Sequence, residues 1–588
     1  MSTNKKIDII CVVVLILAII LTVLFMNGEK LGLTVVVDED SETTTTSSFF
    51  TTNDMDGDWD TSEATIITLE GDDITVSGSG TYVNDGSVYI TQSGYYLVSG
   101  ELTDGSIVVA AEDYSKVWIM LDGVDIYCED DAGIIVEQAD KVFLTLAEGS
   151  ENTIETGDEY SEEAVEDDRD GAIFSHDDLT INGSGSLTVT TGYSHGIVSK
   201  DDLIITGGTI TVTAPDDGLK ANDALNITDA DITIDVEDDG ITCDTSVYIG
   251  GGTILISNSY EGIEAVIVEI EDGDITIYST DDGINANGGS SEEFGMGQME
   301  SSITTDSETT EETYISISGG TLRIFNEGGN DADGIDSNGD ISISGGTIFI
   351  SLTDGGSNNA IDYASENGGV AVITGGTIIA AGSSGMAESF DSTSTQASIL
   401  YTTSASMEAG TTVSVVDEDG NEILSWEVPY SFSSINISSP DIAIGETYTI
   451  TAGDESETVT LEDVVTTAGE ATAGGMGQMG GMGQMGGMGR GQQMQSEDVE
   501  MNEEFQAPED MDESTMPQGM GQGGRGGMGM AGGQAGFESE ETTESEDSTD
   551  TAQSLSELDS QTWILLGVSA VILVAGLGFA IFYRKGRL

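Results

Sequence analysis

Of the 588 residues, 108 are acidic and 14 basic, for a formal charge of -94 at pH 7. So negative a chain is excluded as a nucleic-acid binder, because gripping phosphates takes clustered Lys and Arg. With 78 glycines, 5 prolines and 6% aromatics it is neither collagen-like nor a Pro-rich spacer, and its length admits one long repeat body with appendages.

The first element is an apolar run at 7–26, and about 20 such residues cross a hydrocarbon core as a helix. The run exceeds a signal-peptide core, and Asn27, Gly28, Glu29 and Lys30 follow in place of an A-x-A-like site. Residues 1–30 therefore read as an uncleaved anchor in preference to a removed signal. Next comes an acidic, Ser/Thr-rich stretch, 31–60, expected to be a flexible stalk.

From 61 to 395 short strands recur. The early ones are expected at 65–69, 87–91, 95–99, 106–110, 117–121 and 142–146. Acid-Gly pairs then follow at steps of 22, 22 and 21 residues, as Asp217-Gly218, Asp239-Gly240, Glu261-Gly262 and Asp282-Gly283. Asp333-Gly334 resumes the series after an acidic, Met-containing insertion at 288–312. Gly-Gly-Thr corners run out of phase, starting at Gly207, Gly251, Gly319, Gly345 and Gly375, and each is a place where the backbone calls for positive φ. Between the markers lie period-2 segments such as Ile210-Thr211-Val212 and Ile232-Thr233-Ile234. A unit this short cannot close a core alone and must stack on its neighbours. The period predicts an all-β chain wound as a parallel β-helix, in preference to a β-sandwich without long-range register.

Residues 396–465 alternate apolar and polar without the Gly-Gly marker, and are expected to form a small β cap over the last rung. Gly/Met/Gln repeats and an acidic run fill 466–560; without His they read as a disordered linker in preference to a thioether copper site. The final segment, 561–588, holds a second apolar run at 563–583. Lys5 and Lys6 before the first run and Arg584, Lys585 and Arg587 after the second all favour the cytoplasm. With the N-terminal segment uncleaved, both termini are thus expected in the cytoplasm, with one N-terminal and one C-terminal transmembrane helix in the cell membrane and 27–562 extracellular. Cys11 falls in the first run, while Cys128 and Cys243 are too far apart in a stacked repeat to pair.

Stacking places Asp217, Asp239, Glu261 and Asp282 on one line, about 4.8 Å per rung, beside a second line of Asp216, Asp238 and Asp281. Like charges at that spacing push the coils apart unless they are protonated or neutralised. Ca²⁺ takes six to eight oxygens at about 2.3–2.6 Å, so carboxylates one rung apart can share an ion, with Asn222, Asp223 and Asp244 on the same turns. Zinc or copper would find only His176 and His195 and no Cys pair. The alternative is that Asp-Gly is a favourable turn dipeptide with solvated charges.

Six cations lie between 60 and 465, and two of them, Lys200 and Lys220, follow the Gly of successive coils. Beside a metal, such a lysine can act as the proton-abstracting base of a polysaccharide lyase; it can equally be an ion-pair partner that relieves acid crowding. Tyr193 and Tyr260 precede the turn on their coils and, with Lys200 and Lys220, are candidate carbohydrate contacts, since pyranose faces stack on aromatic rings. Strand packing is the alternative for the tyrosines. Trp59, Trp118 and Trp426 are too scattered to make a binding strip by sequence logic.

The stretch KVWIMLDGVDIYCEDDAGIIVEQADKVFLTLAEGSENTI at 116–154, the DDGLKAND and DDGINANG turns, the GGTI corners and the tail SFSSINISSPDIAIGETYTI at 431–450 together resemble a clostridial cell-surface carbohydrate-binding family. The resemblance covers about 64–465. It implies a right-handed parallel β-helix similar to pectate lyases, calcium held by turn acids, and binding of plant-wall polysaccharide such as cellulose or acidic pectin without established lyase action. Carried over by motif, the calcium candidates are Asp216, Asp217, Asn222, Asp223, Asp238, Asp239 and Asp244, with Asp281, Asp282 and Asn287 repeating the pattern. The sequence departs from that pattern at Tyr260-Glu261-Gly262, where an aromatic replaces the first acid and no carboxamide follows. The expected function is a membrane-anchored, extracellular, calcium-dependent polysaccharide-binding protein. The alternatives are a pectate-type lyase using Lys220 or Lys200, and a surface spacer or adhesin that binds calcium only.

Overall fold

A computed structural model describes residues 49–287, 313–328, 332–365 and 368–469. Among them the chain is all-β, with one short α-helix, Glu162–Glu166, and one 3-10 turn, Thr61–Glu63. Each coil of the repeat contributes three strands. Leu203–Ile205, Thr209–Ala214 and Leu219–Ala221 make one coil, and Ala224–Ile227, Asp231–Val236 and Ile241–Cys243 make the next. Every strand pairs in parallel with its counterpart one coil later, Leu203 with Leu225, Thr209 with Asp231 and Leu219 with Ile241. The sequence period is thus the circumference of a parallel β-solenoid.

Period-2 alternation explains the core. Ile210 and Val212 point inward and are fully buried, as are Ile232 and Ile234 one coil on, while Thr211 and Thr233 between them are half-buried. One continuous hydrophobic core runs from Ile67 to Phe390. Each buried Ile, Leu or Val is worth about 1.5–3 kcal/mol, so the stack and not the single coil carries stability. The Gly-Gly corners behave as expected: the second glycine has positive φ, +89° at Gly208 and +97° at Gly252.

Both ends of the stack are covered. At the start, Thr65–Gly71 pairs antiparallel with Asp73–Ser77, which occupies an edge that would otherwise be open. At the other end, Phe432–Ser438 pairs antiparallel with Thr377–Gly382, and Thr411–Asp417, Glu422–Val428, Thr447–Ala452 and Glu455–Thr460 form a four-stranded antiparallel sheet with its own core. Cys128 and Cys243 are free, buried thiols.

One expectation is corrected. Residues 49–60, expected as part of a flexible stalk, lie against the solenoid. Phe49 stacks on Tyr248 at 3.8 Å, Asp54 is fully buried with its Oδ1 3.0 Å from Lys141 Nζ, and Trp59 Nε1 donates to Thr145 Oγ1 at 3.2 Å. Buried aromatic area and a shielded ion pair outweigh the chain entropy that a Thr/Ser-rich composition predicts would win. The apolar runs at 7–26 and 563–583, the insertion at 288–312 and all but the first residues of 466–560 lie outside the described residues. Among the described residues no helix is long and apolar enough to cross a membrane.

Candidate functional site: an acid-lined column of turns

The short strands Leu219–Ala221, Ile241–Cys243, Ile263–Ala265, Ile284–Ala286, Ile335–Ser337 and Ile361–Tyr363 stack in register as one parallel sheet. An acid-Gly turn leads into each of the first five. The glycine is required by close approach: a Cβ on Gly218 would sit 2.6 Å from the Gly240 carbonyl and 2.7 Å from Ile234. The acid has a main-chain partner one rung away. Asp217 Oδ1 accepts from the Asp239 amide at 3.2 Å, Asp239 Oδ1 from the Glu261 amide at 3.1 Å, and Asp282 Oδ1 from the Asp333 amide at 2.7 Å. His195 opens the series, its Nδ1 accepting from the Asp217 amide at 3.1 Å. In these aspartates one carboxyl oxygen therefore ties coil to coil and the other is left for a charge partner, whereas Glu261 takes the Asn285 side chain in place of a main-chain amide.

Those partners differ along the column. Lys220 Nζ lies 2.7 Å from Asp217 Oδ2 and 3.4 Å from His195 Nε2. Burial raises the pKa of Asp217, but the bonds to His195 and the Lys220 ammonium outweigh it and bring the carboxyl down to about 2. Burial alone would lower the Lys220 pKa, yet the Asp217 carboxylate holds it above its ordinary value. On the next two rungs, burial and the neighbouring carboxylates push Asp239 up to about 10 and Glu261 to about 9. Burial likewise brings Asp333 to about 9. Lys200 is the ion-pair partner of Asp170, at 2.8 Å.

Several expected acids do come together. Oxygens of Asp217, Asp238 and Asp239 lie within 4.8 Å of one another, as do those of Asp239, Glu261 and Glu264, and the Asp216–Asp217 pair closes on His195 in the same way. Others go elsewhere. Asn222 and Asp223 follow the strand and Asp223 faces Asp201, which burial and three neighbouring acids raise to about 6. Asp244 is exposed, Asp281 accepts from the Tyr260 hydroxyl, and Asn287 donates to Glu264. Tyr193 is spent on stacking with Tyr160 at 4.1 Å, and three rung steps, about 14 Å, separate it from the half-exposed Tyr260. The two do not make one platform.

Sequence reasoning missed a second column. The middle residues of the short strands, Lys220, Thr242, Glu264, Asn285, Asp336 and Asp362, are in register and lie outside the core; Asp333, Asp336 and Asp362 form a further close group. The signal was present as the charged residue between two core positions in Ile263-Glu264-Ala265 and Ile335-Asp336-Ser337. The tryptophans are also less scattered than their spacing implied: Trp59 and Trp118 both pack on Tyr95, at 5.0 and 4.9 Å, and Trp118 stacks on Phe143 at 5.2 Å. Trp118, stacked on both Tyr95 and Phe143, therefore has its ring faces taken up by packing.

Fold and column together define a parallel β-solenoid with a line of turn carboxyls along one sheet. A family model described as "Carbohydrate-binding domain-containing protein" matches residues 84–356, a stretch that includes 116–154 and the whole acid series from Asp217 to Asp333, so the resemblance read from those residues is borne out there. A relative in Acetivibrio thermocellus with the same description is 40% identical over 122 residues, 21% of this chain and 43% of the relative; the chain thus spans less than half of that protein's length. A solved structure, the polysaccharide lyase-like protein from C. thermocellum in a gadolinium derivative, aligns at 26% identity and a TM-score of 0.33 over 53% of this chain and 97% of that one.

Proposed function

We propose that the solenoid is the polysaccharide-binding body of a membrane-anchored extracellular protein, and that divalent cations, calcium by donor chemistry, bridge its acid column to the glycan. The observation that carries this reading is the in-register carboxyl column within the segment that matches a carbohydrate-binding family. Carboxylates and carboxamides accept hydrogen bonds from sugar hydroxyls, and oxygen donors in this number suit a hard cation. A chain of charge -94 repels a polyuronate unless divalent ions intervene, so binding to acidic pectin requires calcium, whereas binding to a neutral glucan need not. The base role is not favoured for either lysine: a general base must shed its proton, and Lys220 and Lys200 each sit within 2.8 Å of a carboxylate that stabilises the charged form.

The test is retention of residues 49–469 on insoluble cellulose and on polygalacturonate gel, with calcium and with chelator. Retention on at least one polymer supports the reading. Equal passage through every matrix in both conditions rejects it and leaves the calcium-only spacer.

A further inference from the structure

We propose that Asp239, Glu261, Glu264 and Asn285 form one defined site for a hard divalent cation, at the rung where the turn motif departs from its neighbours. The inference deepens the divalent-ion part of the proposed function and takes the ion class from it, but it needs no sugar.

Three observations converge on this place. A carboxylate oxygen of each of Asp239, Glu261 and Glu264 lies within 4.8 Å of the other two. Glu261 is 9% exposed and Asn285 6%, yet Glu261 Oε2 and Asn285 Oδ1 have no hydrogen-bond partner. The two side chains meet tip to tip, Asn285 Nδ2 donating to Glu261 Oε1 at 3.0 Å, so the two orphaned oxygens belong to one hydrogen-bonded pair. A buried acceptor without a partner is destabilising, and more so when charged. Two of them beside two further carboxyls describe a cage that lacks its positive centre.

The cage is held from outside. Glu264 and Asn285 are direct partners on adjacent parallel strands, about one rung apart. Thr242 Oγ1 donates to Glu264 Oε2 at 3.2 Å, Asn287 Nδ2 bonds Glu264 Oε1, and Asp239 Oδ1 is fixed by the Glu261 amide. Glutamate is one methylene longer than the aspartates at the equivalent turns, which carries its carboxyl out toward the middle column. One rung earlier Lys220 supplies the positive charge at 2.7 Å from Asp217; among the described residues no Lys, Arg or His forms an ion pair with Asp239, Glu261 or Glu264. Three carboxylates and a carboxamide offer oxygen only, which selects Ca²⁺ or Mg²⁺ over zinc and copper, and the side-chain donors on two or more rungs suit the larger, geometrically tolerant Ca²⁺.

The experiment is a calorimetric calcium titration of the full chain, wild type against Glu264→Gln, Glu261→Gln and the exposed-acid control Asp235→Asn. Both site variants are expected to bind one ion fewer per chain, or to bind it at least tenfold more weakly, with Asp235→Asn unchanged. Melting in chelator checks the fold, and Glu264→Gln, at a half-buried position, keeps the test open if Glu261→Gln fails to fold. Unchanged stoichiometry and affinity in a folded Glu264→Gln would overturn the proposal and leave the trio to protons or water. Absence of polymer retention in the wild type, with the ion lost in the variants, would overturn the sugar reading alone.

Discussion

Asp217 shows how much one side chain is asked to do. It lies 3% exposed, ties two coils through Oδ1 and pairs with Lys220 through Oδ2. Removing the partner of a shielded charge leaves it uncompensated, so Lys220→Met is expected to cost about 3 kcal/mol in urea denaturation at pH 7. Because the folded pKa of Asp217 is depressed from 3.8 to about 2, its contribution is present above about pH 4 and is lost as pH falls through 2. Since His195 also holds the carboxyl down, the variant should lose part of that acid limb, visible as a flatter stability profile between pH 4 and 2. Gly218→Ala addresses the backbone instead: the new methyl would meet the Gly240 carbonyl and Ile234, for an expected loss of about 1–3 kcal/mol. Asp217 and Gly218 were legible as a repeated turn; that the glycine answers to stacking clearance and not to positive φ was not, since a sequence does not display the coil above.

Among the elements, the N-terminal strap 49–60 departs furthest from its sequence reading. The outer residues Tyr248, Asn226, Ile204, Thr180, Phe143, Trp118 and Tyr95 form one in-register column across seven coils. Phe49 lies at its Tyr248 end, Asp54 bonds Thr180, and Trp59 packs on Tyr95, so the strap runs along the stack against the order of the coils. Six rung steps are about 29 Å, and the strap spans them with a turn at 52–55 and with the reach of the Phe49 and Trp59 rings at its two ends. The strap therefore clasps coils that are otherwise joined to neighbours alone. A fragment beginning at residue 61 is expected to melt below one beginning at 49. Asp54→Ala, which leaves the buried Lys141 only the longer pair to Asp178 at 3.8 Å, should account for roughly 3 kcal/mol of that difference by denaturant titration. Phe49-Phe50 was the only local sign, and a pair of aromatics in a polar run does not say what it covers.

For the solenoid as a whole, the column of raised carboxyls sets a pH dependence. Asp239, Glu261 and Asp333 start from ordinary values of 3.8, 4.5 and 3.8 and are raised to about 10, 9 and 9 in the fold by burial first and then by the carboxylates beside each of them. A raised acid favours the folded state fully below its unfolded pKa and loses that advantage as pH climbs to the folded one. In chelator, the melting temperature is therefore expected to fall steadily from about pH 4 toward pH 10. Saturating calcium should flatten that decline, because a bound ion replaces the protons in holding the carboxyls together. A melting profile that rises with pH in chelator, or a decline that calcium leaves untouched, contradicts this account of the column.

The amino-acid order by itself determined the winding of this protein. A period of 22 residues, alternation within each strand and Gly-Gly corners are properties of one unit and its translation, so they are readable wherever the unit repeats, and they placed Asp217, Asp239, Glu261 and Asp282 on a common line. Only the tertiary structure decided which neighbour each of those acids meets: Lys220 for the first, Glu264 and Asn285 for the third, and for Asp54 a lysine 87 positions along the chain. The reason is that the repeat fixes heights along the stack, whereas the choice between a lysine, a proton and an ion depends on how far each side chain reaches around the coil and on what burial leaves within its range.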